Sequence, residues 1–332
     1  MDLLFLGTSS GTPTRSRNVS GLALLEDKGR GWYLIDCGEA TQHQLLRTPL
    51  SLHELRALFV THVHGDHCYG IPGLLASAAM SGRREPLHII APEGIEHWIQ
   101  STLLLTRTHL PYPLQFHAVE SLERWGNTYV RVDATPLSHR VPSYAYRFTE
   151  ARPDVRLDTD RLDADGVTRG PVWGRLARGL SVLHEGRTLN ANDYLLPGRQ
   201  ARRIVVAGDN DRPGLLEDLC RDAQVLVHEA THTQDVAERG RSAHGHSTAR
   251  AVAEFAERIG LPNLVMTHFS ARYQNDPRRS PSIEDIRSEA LAAYHGQLFL
   301  AADLQRYRLD TAGSLQALVS PRLNLQPEEM ER

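Results

Sequence analysis

The sequence predicts an α/β layered fold with mixed sheets, and three observations carry that expectation. Apolar runs of strand length recur along the chain, stretches with an apolar face at helical spacing lie between several of them, and metal-capable side chains follow directly on strand-like runs. In order, strands are expected at Leu3 to Leu6, Leu22 to Leu25, Trp32 to Ile35, Leu58 to Val60, Leu87 to Ile90, Tyr129 to Val132, Ile204 to Ala207, Val225 to Val227 and Leu264 to Met266. Helices are expected at Glu39 to Leu46, Pro72 to Met80, Ile95 to Leu104, Leu215 to Cys220, Ser247 to Ile259 and Ile283 to Tyr294, each with one apolar face. Residues 152–198, from Arg152 to Gly198, are charged, rich in glycine and poor in strand periodicity. They read as an insertion projecting from a single domain that spans 1–332. The last segment, Thr311 to Arg332, has no strong period and reads as a tail frayed at its end.

Composition narrows the class. With 332 residues and 41% hydrophobic content the chain can bury a core without staples. Its three cysteines, Cys37, Cys68 and Cys220, are odd in number and scattered without a CxxC, so neither a disulfide framework nor a thiolate zinc site is expected and a reducing cytoplasm fits. The opening Met1 to Gly7 lacks a basic n-region and is too short in its apolar run for a signal peptide or membrane span. A net charge of −3 argues against a general nucleic-acid sponge. Lys28 is the only lysine, so almost all positive charge is arginine, for which codon bias is the plainer explanation.

Chemistry concentrates in Thr61-His62-Val63-His64-Gly65-Asp66-His67, which leaves the run Leu58-Phe59-Val60. Three imidazoles and a carboxylate exceed what one catalytic zinc takes from a protein, so two metals are the better count. His139, Asp209 and His268 each follow a strand-like run and complete two half-shells. His62, His64 and His139 are expected to hold one ion and Asp66, His67 and His268 the other, with Asp209 bridging. Nitrogen and oxygen donors favour zinc, with manganese or iron as substitutes, and hydrolysis is the chemistry such a pair supports. Asp36 is expected to accept the free ring N–H of a ligand histidine. Glu229 and His246 form a candidate general-acid pair beside the helix opened by Ser247; in the alternative, His246 and Ser247 merely cap that helix.

With these residues assembled, the chain resembles the metallo-β-lactamase superfamily and, within it, the ribonuclease Z family. The superfamily motifs are Ile35-Asp36-Cys37-Gly38-Glu39, the His62 to His67 cluster, His139, Asp209 and His268. The narrower match rests on Phe5 to Pro13, Pro13 to Asn18, Asp36 to Gln44, Gly70-Ile71-Pro72-Gly73, His228 to Thr231, Gly245 to Thr248 and Ser270 to Tyr273. The resemblance implies an αββα sandwich with an inserted flexible arm, or exosite, and a dinuclear zinc site. It also implies a homodimer and a precursor tRNA substrate, cut near the discriminator nucleotide by metal-hydroxide attack to release the 3′ trailer. Asp66, His246 and Glu229 would then be catalytic. Substrate contacts are expected from Arg15, Arg17 and Asn18, from Gly170, Pro171, Arg175 and Arg178 in the arm at 152–198, and from Ser270 and Arg272. The chain departs from the family pattern at Arg15, where lysine is frequent, and at Asn210, where threonine more often follows the bridging aspartate. A general phosphodiesterase or other small-ester hydrolase with the same metals, and a non-catalytic RNA-binding module on the same fold, are the competing expectations.

Overall fold

A computed structural model describes residues 1–318 apart from 28, 154, 197 and 240–244. Two sheets face each other. In the first the strands lie in the order Leu315–Leu318, Arg306–Leu309, Asp2–Gly7, Gly21–Leu25, Trp32–Cys37, Leu55–Phe59, Leu87–Ala91 and Leu114–Ala118. In the second the order is Gln297–Leu300, Asn263–Thr267, Val225–Glu229, Arg203–Ala207, Ser143–Glu150, Val130–Leu137 and Trp125–Gly126. Their inner faces bury one shared core, in which Phe59 packs on Phe148, Tyr146 and Trp125 with ring centroids 5.0–5.4 Å apart.

Helices cover both outer faces. Ile71–Met80 and Ile95–Leu105 lie on the first sheet and Ala249–Arg258 and Ile283–Leu291 on the second, each pressing its apolar stripe into a separate cluster. The result is the expected αββα sandwich. Among the described residues no helix is long and apolar enough to cross a membrane.

Several expectations are corrected. Leu215 to Cys220 is not a helix: Pro213–Leu216 makes a 3₁₀ turn, which Gly214 and the short run do not extend. The helix expected from Ser247 begins at Ala249, with Thr248 as its N-cap accepting from the Ala251 N–H at 3.2 Å. The segment from Thr311, expected to lack regular structure, forms a strand at Leu315–Leu318. Asp310 Oδ1 accepts the Ala312 and Ser314 amides, and this turn folds Leu315–Leu318 back against Arg306–Leu309 as an edge strand with Leu315 buried. The fraying expected at the chain's end falls on residues 319–332, outside the described residues.

The segment expected as an insertion, residues 152–198, carries secondary structure of its own among its described residues. It joins the neighbouring strands Ser143–Glu150 and Arg203–Ala207 and holds the helices Thr159–Ala164 and Pro171–Leu176, the hairpin Val182–His184 with Arg187–Leu189, and a small cluster of its own around Leu162, Trp173, Leu176 and Tyr194.

Candidate metal centre

Strands of both sheets deliver their C-terminal ends to one edge, where loops carry side chains to a common point. Asp36 is the next-to-last residue of Trp32–Cys37, Thr61 to His67 follow Leu55–Phe59, His139 follows Val130–Leu137, Asp209 follows Arg203–Ala207, Glu229 ends Val225–Glu229 and His268 follows Asn263–Thr267. The turn Gly65–Cys68 is a short helix that puts Asp66 and His67 in its first turn. It packs so tightly on the preceding motif that a Cβ on Gly38 would lie 2.3 Å from the Asp66 carbonyl oxygen.

Seven donors meet here in the expected halves. His62 Nε2 lies 3.1 Å from His64 Nδ1, which lies 3.2 Å from His139 Nε2. In the other half, His67 Nε2 lies 3.2 Å from His268 Nε2, and Asp66 Oδ2 is 3.5 and 3.3 Å from the same two atoms. Asp209 divides its oxygens between them. Oδ2 is 3.6 Å from His62 and 3.8 Å from His139, while Oδ1 is 3.6 Å from His67 and 3.5 Å from His268. Donors about 2.0–2.2 Å from one tetrahedral ion stand roughly 3.4 Å apart, so both groups fit a divalent cation.

The rings are held for that task from behind. His67 Nδ1 is 2.7 Å from Asp36 Oδ2, His62 Nδ1 is 3.0 Å from Thr61 Oγ1, His139 Nδ1 donates to the Gly245 carbonyl at 2.6 Å and His268 Nδ1 is 3.1 Å from Thr231 Oγ1. Asp36 also accepts the Thr61 amide and hydroxyl at 2.7 and 2.9 Å, which ties the ligand loop to the neighbouring strand. Asp36 and His268 both take left-handed backbone angles, φ 58° and 56°, uncommon for residues with a Cβ. Gly245 at φ 89° needs its missing side chain, since a Cβ there would sit 2.9 Å from His139 Nδ1.

Charge follows the geometry. Burial, reinforced by the neighbouring imidazoles, holds His62 well below the usual histidine range. Burial works to raise the Asp66 carboxyl, but His67 and His268 outweigh it and hold the group far below the usual carboxylate range. Burial likewise opposes protonation of His67, and Asp36, Asp209 and Asp66 together overcome it.

Beside these donors lies the second pair. Glu229 is buried, accepts the Asn210 amide on Oε1 at 2.7 Å, and contacts His246 Nδ1 with Oε2 at 3.0 Å. Burial works against the charged imidazole, yet Glu229 pushes His246 up to about 9. With Nδ1 committed to Glu229, Nε2 is the nitrogen left for a substrate oxygen. Neither His246 nor Ser247 caps the helix, because Thr248 does so and Ser247 Oγ donates to the Asn210 carbonyl at 2.5 Å.

The expected substrate contacts divide. Arg15 is exposed on a cleft of about 340 Å³ that it shares with His43, Arg47 and Asp303. Arg17, expected to meet substrate, is instead 5% exposed: its Nη2 donates to the Tyr273 carbonyl and to Asn275 Oδ1, both at 2.7 Å, and its guanidinium lies over Phe269. It holds the loop. Asn18 donates its side-chain amide to the Glu39 carbonyl at 2.9 Å. Asp303, absent from the sequence reading, anchors the same loop by accepting Thr8 Oγ1, the Asn18 amide and Gln44 Nε2 at 2.6–2.8 Å. Only its place after a strand could have signalled it. Ser270 accepts Arg272 Nε at 3.3 Å, and its strand pairs with Ser9–Ser10 beside the N-terminal loop. Gly170 is the N-cap and Pro171 the first residue of the helix Pro171–Leu176, Arg175 lies in its last turn and Arg178 donates back to the Gly174 carbonyl; all four are exposed, and none is among the metal donors.

The profile of a family described as Anti-Pycsar protein Apyc1 matches residues 1–111. A ribonuclease Z of Pseudomonas putida strain GB-1 is 59% identical over 316 residues, covering 95% of this chain and 99% of the relative. A ribonuclease Z of Marinobacter nauticus is 52% identical over 312 residues, covering 93% and 97%. Among solved structures, the short form of human tRNase Z aligns with a TM-score of 0.64 at 24% identity, over 93% of this chain and 100% of that one. The metallo-β-lactamase fold protein YhfI of Bacillus subtilis aligns with a TM-score of 0.64 at 17% identity, over 92% and 98%. At those identities the two structures speak for the fold, while identity above one half along nearly the whole length carries the closer assignment: the chain belongs to the ribonuclease Z family.

Proposed function

We propose that the chain is a cytoplasmic, zinc-dependent endoribonuclease that removes the 3′ trailer of precursor tRNA near the discriminator nucleotide, leaving a 3′-hydroxyl on the tRNA. The observation that carries the reading is the placement of the Glu229–His246 pair against the divided donor set, with His246 Nδ1 3.6 Å from Asp209 Oδ2. Two zinc ions would be held by His62, His64, His139 and Asp209 on one side and by Asp66, His67, His268 and Asp209 on the other. When bound, they supply a water of lowered pKa and neutralise charge at phosphorus.

The chain's own residues do the rest. Asp66, held by the Gly11 amide at 2.7 Å, orients the attacking water as a hydrogen-bond acceptor. His246 passes a proton from Nε2 to the departing 3′ oxygen, and Glu229 keeps its ring oriented and charged until then. Arg15 lies where an acceptor-end phosphate would pass, and the insertion with Arg175 and Arg178 would grip the body of the tRNA. In a homodimer the insertion of one protomer would serve the site of the other. Leu46, Met80, Leu104 and Leu105 are 77–90% exposed on the helical layer of the first sheet, apolar surface that such an interface would cover.

The test incubates metal-analysed protein with end-labelled precursor tRNA carrying a 3′ trailer and maps the products at nucleotide resolution. A single cut beside the discriminator with about two zinc ions per chain supports the proposal. An intact precursor together with hydrolysis of a small phosphodiester moves the assignment to a general phosphodiesterase, and a protein without metal or cleavage to an RNA-binding module.

A further inference from the structure

The geometry points to Asn210 as a positioning residue that sets the Glu229–His246 pair for proton transfer to the leaving oxygen, a role that rests on the function proposed above. Asn210 follows the bridging Asp209 and is fully buried, yet every polar atom it owns is used. Its backbone N–H donates to Glu229 Oε1 at 2.7 Å and its carbonyl accepts Ser247 Oγ at 2.5 Å. Its side chain spans the loops between these bonds. Nδ2 donates to His228 Nε2 at 3.1 Å, and Oδ1 accepts the Ser138 amide at 3.3 Å and the Arg212 amide at 3.1 Å.

These bonds converge on the chemistry from three directions. His228 is the residue before Glu229, and its Nδ1–H donates to the Glu229 carbonyl at 2.8 Å, so the Asn210 amide fixes one tautomer and one ring orientation at the root of that carboxylate. Ser247 is the residue after His246. Ser138 is the residue before His139. The side chain thus holds the base of the Glu229 loop and the start of the His139 loop, while its own backbone binds the His246 loop. A buried network of this kind specifies one arrangement only while every member is satisfied.

The requirement is specific to an amide. Threonine has a single hydroxyl oxygen on a shorter, β-branched stem, and one atom cannot stand at both the Nδ2 position that meets His228 Nε2 and the Oδ1 position that meets the two backbone amides. Aspartate keeps the acceptors and loses the donor, and it sets a carboxylate against an acceptor nitrogen in a fully buried position.

The experiment compares the native protein with the variants Asn210→Ala, Asn210→Asp and His246→Ala on two substrates: precursor tRNA, whose 3′ oxygen leaves poorly without a proton, and bis(p-nitrophenyl) phosphate, whose phenolate leaves without one. Zinc content and Tm are recorded for each variant. If Asn210 positions the pair, kcat on precursor tRNA falls about 10- to 100-fold in both Asn210 variants with KM little changed. The loss on the activated ester is then several-fold smaller, and zinc content stays native. Equal losses on the two substrates, or a loss that follows zinc content, would overturn the proposal and make Asn210 a scaffold of the metal site. His246→Ala separates the two ideas. If it too loses equally on both substrates, the general-acid reading fails; if it is selective and the Asn210 variants are not, only the role of Asn210 fails. Should Asn210→Ala not fold, the near-isosteric Asn210→Asp decides by the same ratio.

Discussion

Asp66 joins two functions in one carboxylate. Its Oδ2 faces His67 and His268, where it would hold the proposed ion, and also accepts the Gly11 amide, which binds the N-terminal loop to the centre. Asp66→Ala would remove a proposed ligand and that anchor together, so cleavage of precursor tRNA is expected to fall by at least about 10²- to 10³-fold, the scale seen when one preorganised electrostatic group is lost. Binding of the tRNA, measured by filter retention, persists; undiminished turnover would remove Asp66 from the mechanism. Asp36→Asn acts one bond further out. It weakens the acceptor behind His67 and the clamp on Thr61, and zinc affinity measured against a competing chelator is expected to drop about 10- to 100-fold. The seven donors, Asp36 and the Glu229–His246 pair were legible in the sequence because histidine and aspartate at strand ends are few and chemically specific. Thr61, Gly245 and Asn210 were not, because their roles are hydrogen bonds to loops distant in sequence. Arg17 shows the converse: the resemblance set its loop among the substrate contacts, and only packing shows its guanidinium turned inward.

Among the elements, the insertion is the one most separable from the fold. Glu150 donates its amide to the Arg202 carbonyl and Thr149 pairs with Arg203, so the two strands that flank the insertion already lie side by side. Excising residues 152–198 with a short glycine-serine bridge should therefore leave the sandwich intact. The expected outcome is a KM for precursor tRNA raised by an order of magnitude or more, with hydrolysis of bis(p-nitrophenyl) phosphate retained. Loss of both activities would assign the insertion a folding role. At its root, burial works to raise the Glu150 carboxyl, and Arg199 and Arg202 outweigh it, holding the group down to about 2. A depressed carboxylate contributes stability in full above its unfolded value of about 4.5, and that contribution is lost as pH falls from there toward 2. After allowance for solvent screening it is worth about 1–2 kcal/mol. Glu150→Gln should lower the Tm at pH 7 and flatten the decline of Tm between pH 5 and 2. Most interior strands were legible because both faces are buried and the sequence reads as a continuous apolar run; Arg306–Leu309 was not, since Arg306 and Arg308, both bonded to Asp2, alternate with its buried Tyr307 and Leu309. The four edge strands, Leu315–Leu318, Leu114–Ala118, Gln297–Leu300 and Trp125–Gly126, escaped because each buries at most one residue and the last is too short to show a period. Ser143–Glu150 escaped as well, since Arg147 on its outer face is paired with Asp133 and interrupts the apolar pattern.

At the scale of the whole molecule, the centre is the seam that closes the sandwich at one edge. His62, His64, Asp66 and His67 come from the first sheet and His139, Asp209 and His268 from the second, so any cation held by either donor group links the two sheets. Loading is therefore expected to stabilise the global fold and not merely the loops. A ligand that binds only the folded state at about 100 times its Kd adds about 2.7 kcal/mol per site, and two such sites in a chain of this size amount to a Tm shift on the order of 10 °C. Scanning calorimetry of zinc-loaded and chelated protein measures the difference, and re-addition of zinc should restore it. Asp209 has one oxygen toward each group, so Asp209→Asn, which leaves one neutral oxygen donor where two were shared, should weaken both sites at once. The Tm of that variant should respond far less to chelation. If chelation leaves the native Tm unchanged, the donors do not join the sheets through metal in solution; if Asp209→Asn responds as fully as the native chain, each half holds its cation without the shared carboxylate.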